Sequence, residues 1–371
     1  MISWDRGTVN ESISIRDGIQ IVSVKVRTGD MHQAVHYTDT MRVLVPGDEV
    51  LLNVTAIQLE LGSGGYHFIA ALIDPKEPYY ARPQPHASGH IMKLKYTPFQ
   101  QRVLAVEEPD SPFHAIFRGD HQLEEMPVLL GELHSMLPIV MCWLHEKSRF
   151  LERTPRVAYI MTDGGALPMA WSEHVAILKQ LGWLQTTITY GQAFGGELEA
   201  VNKFSALLAA KHAAKADVVI VTMGPGIVGT GTQYGHSGLE IGELVNAVHA
   251  LGGKPIVIPR MSFKDPRERH RGISHHTWTA LQLASRVPAS IPIPILEDSE
   301  YTFIQKQWDT VSLSPLHQFI PIAGITMLEV ESALRSYPRP ITSMGRGLFE
   351  DPAFFQAVCA AAEWAWREHN R

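Results

Sequence analysis

The feature that most constrains the fold is a series of short apolar segments that alternate with helical patterns from about residue 90 onward. Strands that are buried on both faces have this nearly continuous apolar composition. Their alternation with helices is typical of a mostly parallel sheet that is covered on both sides. We therefore predict an α/β domain with a doubly wound, Rossmann-like sheet. Its strands are expected at residues 102–107, 126–130, 157–162, 186–190, 217–223 and 255–259.

The first 73 residues have a different pattern, without a helical period. Val22, Val24 and Val26 alternate with polar residues, as in a half-buried strand. Turn sequences recur about every ten residues, which favours a small β-barrel of the OB or SH3 type. A proline-rich linker follows at residues 74–89. We predict that residues 1–85 form the barrel with its linker and that residues 86–371 form the α/β domain.

Residues that favour helix ends mark several boundaries. Gly182 follows an apolar stripe and suits the position after a helix, where a left-handed backbone is common. Ser135, Ser274 and Asp351 precede helical patterns and are typical N-cap residues, and Pro352 suits the first helical position.

Composition excludes several classes of protein. The net charge is −6, so the basic surface that nucleic-acid binding requires is not expected. The longest apolar stretch is too short to cross a membrane, and the N-terminus does not resemble a signal peptide. The two cysteines, Cys142 and Cys359, lie in apolar surroundings and are expected to be buried and reduced. These features predict a cytoplasmic protein without a membrane or nucleic-acid partner.

Glycine and polar residues follow each predicted strand. Ligands of open parallel sheets bind at the carboxyl ends of the strands, so these segments are expected to line a pocket. Gly224, Gly226 and Gly229 fit the pattern G-x-G-x-x-G directly after a strand. The next helix begins too late for a dinucleotide site, and the lysine of a Walker motif is missing. A loop for phosphate or carboxylate, a nicotinamide site and a structural loop remain alternatives. The glycines and threonines predicted to bind ligand are Gly195, Gly196, Gly224, Gly226, Gly229, Thr230, Gly231 and Thr232.

Basic residues follow the last predicted strand. Arginine binds carboxylate and phosphate groups through paired hydrogen bonds, and a capped helix start adds to the attraction for anions. This segment could also be an exposed basic loop without a ligand. Its predicted ligand-binding residues are Arg260, Arg269, His270, Arg271 and Ser274.

Candidate catalytic residues are Asp163, His134, His275 and His276, because histidine and carboxylate groups can act as acid or base near neutral pH. No ligand spacing of a known zinc motif is present. A hard divalent ion held by acidic residues near the strand ends is a further alternative, and the cofactor stays open. The residues of that alternative are Glu107, Glu108, Asp110, Glu132, Asp163 and His134.

Several longer motifs resemble an uncharacterised bacterial family known only as a domain of unknown function. The motifs are ELHSMLP at 132–138, TDG at 162–164, AFGG at 193–196, GPGIVGTGT at 224–232, RHRG at 269–272 and SHHT at 274–277. The resemblance covers most of the chain, from Trp4 to Gly347. It implies a bacterial, cytoplasmic protein and carries no activity that could be transferred to these residues.

Together these observations favour a protein that binds, and as an enzyme would act on, a small anionic ligand, phosphorylated or nucleotide-like. One alternative is a metabolite sensor without catalysis, and another is an interaction module whose glycine loops are covered by a partner. The oligomeric state, including a homo-oligomer, stays open.

Overall fold

A computed structural model describes residues 2–61, 64–73, 89–151, 154–311 and 316–371. The chain divides into two compact units, Met1–Ser88 with Lys95–Gln100 and Gly89–Leu94 with Gln101–Arg371. The proline-rich linker and the boundary predicted after residue 85 lie outside the described residues.

The first unit contains the predicted closed barrel. Its strands are β1 (Trp4–Arg16), β2 (Ile19–Val26), β3 (Met31–Tyr37), β4 (Glu49–Asn53) and β5 (His67–Leu72). They are ordered β1-β2-β3-β5-β4, with β1 closing the barrel against β4 and β3 parallel to β5. Val22, Val24 and Val26 point into its core, as their alternation predicts. A four-residue helix, α1 (Thr55–Gln58), was not predicted, because so short a segment has no helical period.

The strand predicted at residues 102–107 is mostly wrong. Only β7 (Gln101–Val103) is extended, and it pairs antiparallel with β6 (Ile91–Lys93) in a separate two-stranded sheet. The backbone N–H of Ala105 donates to the carboxylate of Glu108 at 2.7 Å. This local hydrogen bond turns the chain and ends the strand.

The main sheet is parallel throughout, as predicted. In the part of the chain that the structure describes, eight strands lie in the order β11-β10-β9-β12-β8-β13-β16-β17, while β14 and β15 pair only with each other. The strands are β8 (Pro127–Gly131), β9 (Val157–Met161), β10 (Thr186–Tyr190), β11 (Leu198–Ala200), β12 (Val218–Thr222), β13 (Lys254–Ile258), β14 (Met261–Ser262), β15 (Gly272–Ile273), β16 (Ser290–Pro294) and β17 (Gln318–Ile322).

Strands β16 and β17 were missed because both contain proline, which cannot donate a ladder hydrogen bond. Pro292 and Pro294 are tolerated in β16 because its pairing with β13 is limited to Ile256 and Ser290. Pro321 lies in β17, at the edge of the sheet.

Helices cover both faces of the sheet. They are α2 (Met136–Ser148), α3 (Glu173–Gln180), α4 (Lys203–Leu208), α5 (Glu240–Ala250), α6 (His275–Thr279), α7 (Asp298–Val311), α8 (Met327–Leu334) and α9 (Pro352–His369). Helices α4 and α6 continue as π-helical turns, Ala209–Ala213 and Ala280–Ala284. Short 3-10 turns occupy His114–Arg118, Asp163–Gly165, Met169–Trp171, Ser237–Leu239 and Glu268–His270.

The two helical layers bury alternate residues of the strands. Helices α2, α3, α8 and α9 pack over Leu129 and Tyr159, whereas α4 to α7 pack over Val128, Leu130 and Ile160. None of the helices in the described ranges is long and apolar enough to cross a membrane.

At the centre of the sheet, the helices that follow neighbouring strands pack on opposite faces. The chain leaves β8 and β9 through α2 and α3 on one face, and it leaves β12 and β13 through α5 and α6 on the other. These four strands are neighbours in the order β9-β12-β8-β13. Such a switch opens a crevice beyond the carboxyl ends of the strands, where ligands of this architecture bind.

The predicted helix ends are partly confirmed. Ser274 caps α6, since its Oγ accepts from the N–H of His276, and Gly182 follows α3 with a φ of 70°. Ser135 and Asp351 precede helices, but neither side chain caps. Ser135 instead donates to Ser343 Oγ at 3.0 Å, and Asp351 accepts from Ser262 Oγ at 2.7 Å. In both cases the side chain bonds to a residue distant in the chain and does not cap its helix.

Candidate functional site

A buried carboxylate lies at the centre of the carboxyl edge of the sheet. Glu132 directly follows β8, and its Oε1 accepts from Arg260 Nη1 at 2.7 Å and from His276 Nδ1 at 2.6 Å. Burial alone would raise the pKa of Glu132, but the His276 hydrogen bond and the charge of Arg260 hold that pKa below its usual value. The carboxylate therefore neutralises Arg260 and accepts a hydrogen bond from a proton on Nδ1 of His276.

Three histidines meet beside this carboxylate, and we call them the edge histidine cluster: His236, His275 and His276. The rings of His236 and His276 stack with centroids 3.8 Å apart and an interplanar angle of 3°. The ring of His275 stands edge-on to His276 at 4.4 Å. One ring nitrogen from each histidine lies within 4.8 Å of the others.

The edge histidine cluster has unused ring nitrogens. His236 is only 7 % exposed, yet neither of its ring nitrogens has a hydrogen-bond partner among the described residues. The same holds for the buried Nε2 of His275. An unpartnered buried polar atom costs about 1–3 kcal/mol, so such an arrangement calls for an explanation.

His236 and His275 are neutral near pH 7. Burial, followed by the neighbouring His276, lowers the pKa of both His236 and His275. The pKa of His275 falls to about 4, with a further contribution from the charge of Arg269. Neutral imidazoles can accept a proton or bind a metal ion.

The glycine loop at residues 224–232 folds back on itself. Gly229 bridges to His236, and Thr230 N donates to the carbonyl of Gly235 at 2.8 Å. The hydroxyls of Thr230 and Thr232 also lie 2.9 Å apart. Part of the loop's hydrogen-bonding capacity is therefore used within the loop, and helix α5 begins only at Glu240.

Two glycines of this loop bring its backbone close to charged and aromatic side chains. A methyl group on Gly229 would lie 3.4 Å from the ring of His276, and one on Gly231 would lie 3.5 Å from Nη2 of Arg269. By contrast, Gly224 packs against Met161, while Gly226 has a φ of 114° and no neighbour there. The loop thus joins the edge histidine cluster to Arg269.

The basic residues after β13 have separate environments. Arg260 is buried in its pair with Glu132, whereas Arg269 is exposed. Arg271 lies over the ring of Phe303 at 5.3 Å. Among the described residues, Arg260 and Arg267 make the ion pairs of this segment and Arg269 makes none. The exposed guanidinium of Arg269 is therefore accessible to a ligand.

His270 and Ser274 serve local structure. His270 Nδ1 lies 2.7 Å from Ser274 Oγ, the same oxygen that caps α6. Burial, then the charge of Arg260, lowers the pKa of His270 to about 3. This bonding fixes the turn that leads into the edge histidine cluster.

His134 has partners at both ring nitrogens. Its Nδ1 lies 3.2 Å from Tyr159 Oη, and its Nε2 lies 2.7 Å from Ser172 Oγ. The neighbouring His174 places its Nδ1 2.8 Å from Tyr337 Oη. We call His134 and His174 the inner histidine pair. Its hydrogen bonds connect α2, α3 and β9.

Asp163, Gly195 and Gly196 stabilise turns beyond β9 and β10. Asp163 Oδ1 accepts from the N–H of Gln192 at 2.6 Å. The N–H of Gly195 donates to Glu199 at 2.7 Å, and that of Gly196 donates to Thr189 Oγ1 at 3.1 Å. These groups therefore hold the loops after β9 and β10 to each other and to strands β10 and β11.

The acidic set considered for a hard divalent ion does not converge. Glu107 accepts from the N–H of Val201, and Glu108 accepts from that of Ala105. Among the described residues, the group with metal-ligand spacing is the edge histidine cluster. The acidic prediction assumed a strand at 102–107 in the main sheet, and that strand lies elsewhere.

Sequence reasoning undervalued two residues of this site. His236 was not among the candidate catalytic or ligand-binding residues, and Glu132 was considered only as an ion ligand. The adjacent pair His275-His276 after a capping serine, together with a histidine after the glycine loop, was the available signal.

Comparison with known proteins identifies a family without assigning an activity. No curated protein and no solved structure matches the chain. A family model described as a protein of unknown function (DUF3866) matches residues 33–362. Because this match covers most of the sequence, the chain belongs to the DUF3866 family.

Proposed function

We propose that this protein binds a small phosphorylated or carboxylated anion at the carboxyl edge of its central strands and acts on it through the edge histidine cluster. The main observation in support of this proposal is the position of Arg269. This exposed guanidinium lies against Gly231, in the loop that also packs against His276. Guanidinium groups bind phosphate and carboxylate through paired hydrogen bonds.

The surroundings of Arg269 support an anion rather than a cation as ligand. The buried carboxylate of Glu132 is already shared between Arg260 and His276. The charge on Arg269 is therefore one that no ion pair with a described residue neutralises. The neutral histidines beside it would supply proton transfer or metal binding, which distinguishes the enzyme from a sensor.

A thermal-shift screen tests the binding. The purified chain is heated with inorganic phosphate, pyrophosphate, nucleotides and small carboxylates in turn. A ligand at about 100 times its dissociation constant stabilises the folded state by about 2.7 kcal/mol. For a chain of this size we expect the midpoint to rise by roughly a few degrees.

Variants locate the ligand. Arg269→Ala is expected to abolish the shift, whereas Arg286→Ala is the matched control. Arg286 is also exposed, but it precedes β16 at the opposite end of the strands. Equal shifts in both variants and the wild type would place the ligand elsewhere. Incubation of a hit, followed by product analysis, separates an enzyme from a sensor, which leaves its ligand unchanged.

A further inference from the structure

We propose that the edge histidine cluster binds one divalent transition-metal ion of the zinc class, through one ring nitrogen each of His236, His275 and His276. This deepens the proposed function, since it names what the histidines do. Metal binding is measured without any anion, so the two proposals can fail separately.

The first argument is the set of unused ligand atoms. His236 is more than nine-tenths buried with both ring nitrogens unpartnered among the described residues, and the buried Nε2 of His275 is unpartnered as well. Imidazole nitrogen suits zinc, cobalt, nickel and copper, whereas calcium and magnesium prefer oxygen. The donor atoms thus select the class of metal.

The second argument is the carboxylate behind the cluster. Glu132 accepts from Nδ1 of His276, which leaves the lone pair of Nε2 for a metal. Metal-binding histidines commonly donate their other ring N–H to a carboxylate, which orients the ring and raises its basicity. Glu132 provides this support, and Arg260 donates to the same carboxylate oxygen and so holds it in place.

The third argument is distance. Nitrogens that share a tetrahedral zinc ion with bonds of 2.0–2.1 Å lie about 3.3 Å apart. The nitrogens of the cluster lie within 4.8 Å of one another, so the widest pair would close by up to about 1.5 Å. Rotation of the imidazole rings can supply a movement of this size, particularly for His275, which is less buried than the other two.

The fourth argument is charge. Arg260 is neutralised by Glu132, so a metal ion would not face an uncompensated buried cation. Three histidine ligands leave a coordination position for water or a ligand atom, as in catalytic rather than structural zinc sites. Arg269 lies beside Gly231 of the glycine loop, and His276 lies beside Gly229 of the same loop. An anion could therefore contact the metal and Arg269 together.

The test is a metal titration of the intact chain. After treatment with a chelator, the protein is titrated with Zn²⁺ in competition with a chromogenic chelator. It is titrated separately with Co²⁺, whose visible absorption reports nitrogen ligands in tetrahedral geometry. We expect one ion per chain and a tetrahedral Co²⁺ spectrum.

His236→Ala and His275→Ala are each expected to weaken Zn²⁺ binding by at least about 100-fold and to remove the Co²⁺ band. Two variants are used because the ligands lie on different segments, and circular dichroism identifies those that fold. His249→Ala, which removes an exposed histidine at the end of α5, should bind like the wild type. Absence of stoichiometric binding, or unchanged binding in a folded His236→Ala or His275→Ala protein, would overturn the proposal.

The anion measurement is then repeated in the presence of chelator. If metal binds and no anion does, the metal site stands and the proposed anion function fails. If pyrophosphate still shifts the midpoint in chelator while no metal binds in titration, the anion site stands and the metal proposal fails.

Discussion

The inner histidine pair and the edge histidine cluster lie beyond the carboxyl ends of the same sheet, but their hydrogen bonding differs. His134 bonds through both ring nitrogens and His174 bonds to Tyr337, whereas His236 has no ring partner among the described residues. Burial lowers the pKa of His134 and His174 in the inner histidine pair, and it also lowers the pKa of His236 and His275 in the edge histidine cluster. Burial and pKa therefore do not separate a structural histidine from a candidate ligand, and the partners of the ring nitrogens do.

We expect the largest effect from removing Glu132, the carboxylate that supports only the edge histidine cluster. Glu132→Ala leaves Arg260 buried without its partner, so we expect a loss of about 3–5 kcal/mol in the free energy of unfolding. Urea denaturation measures this loss. The control is Glu243→Ala, which removes an exposed pair with Lys203 and should cost less than about 1 kcal/mol. A similar small loss in both variants would mean that Glu132 does not organise the edge.

Replacing one histidine of each group with alanine tests the difference between the two groups directly. His134→Ala removes one hydrogen bond each from Tyr159 and Ser172, which keep their bonds to Thr222 and Val175. It should cost about 1–3 kcal/mol, with unchanged Zn²⁺ affinity. His236→Ala removes no hydrogen bond of its ring, so its loss in the metal-free protein should be smaller. Denaturation in chelator, paired with metal titration, measures both quantities. Equal destabilisation by the two variants, or loss of Zn²⁺ binding in His134→Ala, would remove the distinction.

A smaller effect is expected from crowding the edge histidine cluster. A methyl group on Gly238 would lie 3.1 Å from both Glu132 Cδ and His236 Nδ1, so one of these groups must move. Gly238→Ala should therefore destabilise the fold by about 1–3 kcal/mol, at the lower end of that range, and weaken Zn²⁺ binding roughly 10-fold. Gly119→Ala is the control, because a methyl group there meets only the side chain of His121. Unchanged metal affinity in Gly238→Ala would count against a tightly packed site.

The inner histidine pair should also make the stability of the fold depend on pH. Burial, then the neighbouring His174, lowers the pKa of His134 from 6.5 to about 3. Between these values the unfolded chain binds a proton that the folded chain does not, so stability falls as the pH decreases from about 6.5 toward 3. His134→Gln should lower the slope of unfolding free energy against pH by up to about one proton in this window. An unchanged slope would show that His134 is not buried in its neutral form.

The sheet was predictable because its central strands are short apolar runs with glycine at their ends. β8, β9, β10, β12 and β13 were predicted to within one residue at most ends, and the Ser274 cap and the Gly182 helix end were correct. β16 was not predictable from local preference, because proline normally argues against a strand. Its limited pairing with β13 removes that objection, and such pairing is known only from the fold.

The candidate site was predictable as a region and not as a set of partners. The sequence placed His275, His276, Arg260 and Arg269 after one strand, but it could not separate the buried arginine from the exposed one. Arg260 is paired because Glu132, 128 residues away in the chain, follows the neighbouring strand β8. Neither the hydrophobic periodicity nor the residue spacing of the sequence indicates such a contact.

Local sequence patterns were enough to predict the parallel α/β domain, the small barrel before it and the polar loops at the strand ends. These features are predictable because the burial of a strand on one or both faces and the position of a turn depend on residues that are close together in the chain. Only the tertiary structure decided the strand order. That order brings β12, β8 and β13 together and so places His236, Glu132 and His276 side by side. The chemistry of this edge depends on contacts between distant segments, because a ring nitrogen or a carboxylate becomes available or occupied only when its neighbours are in place.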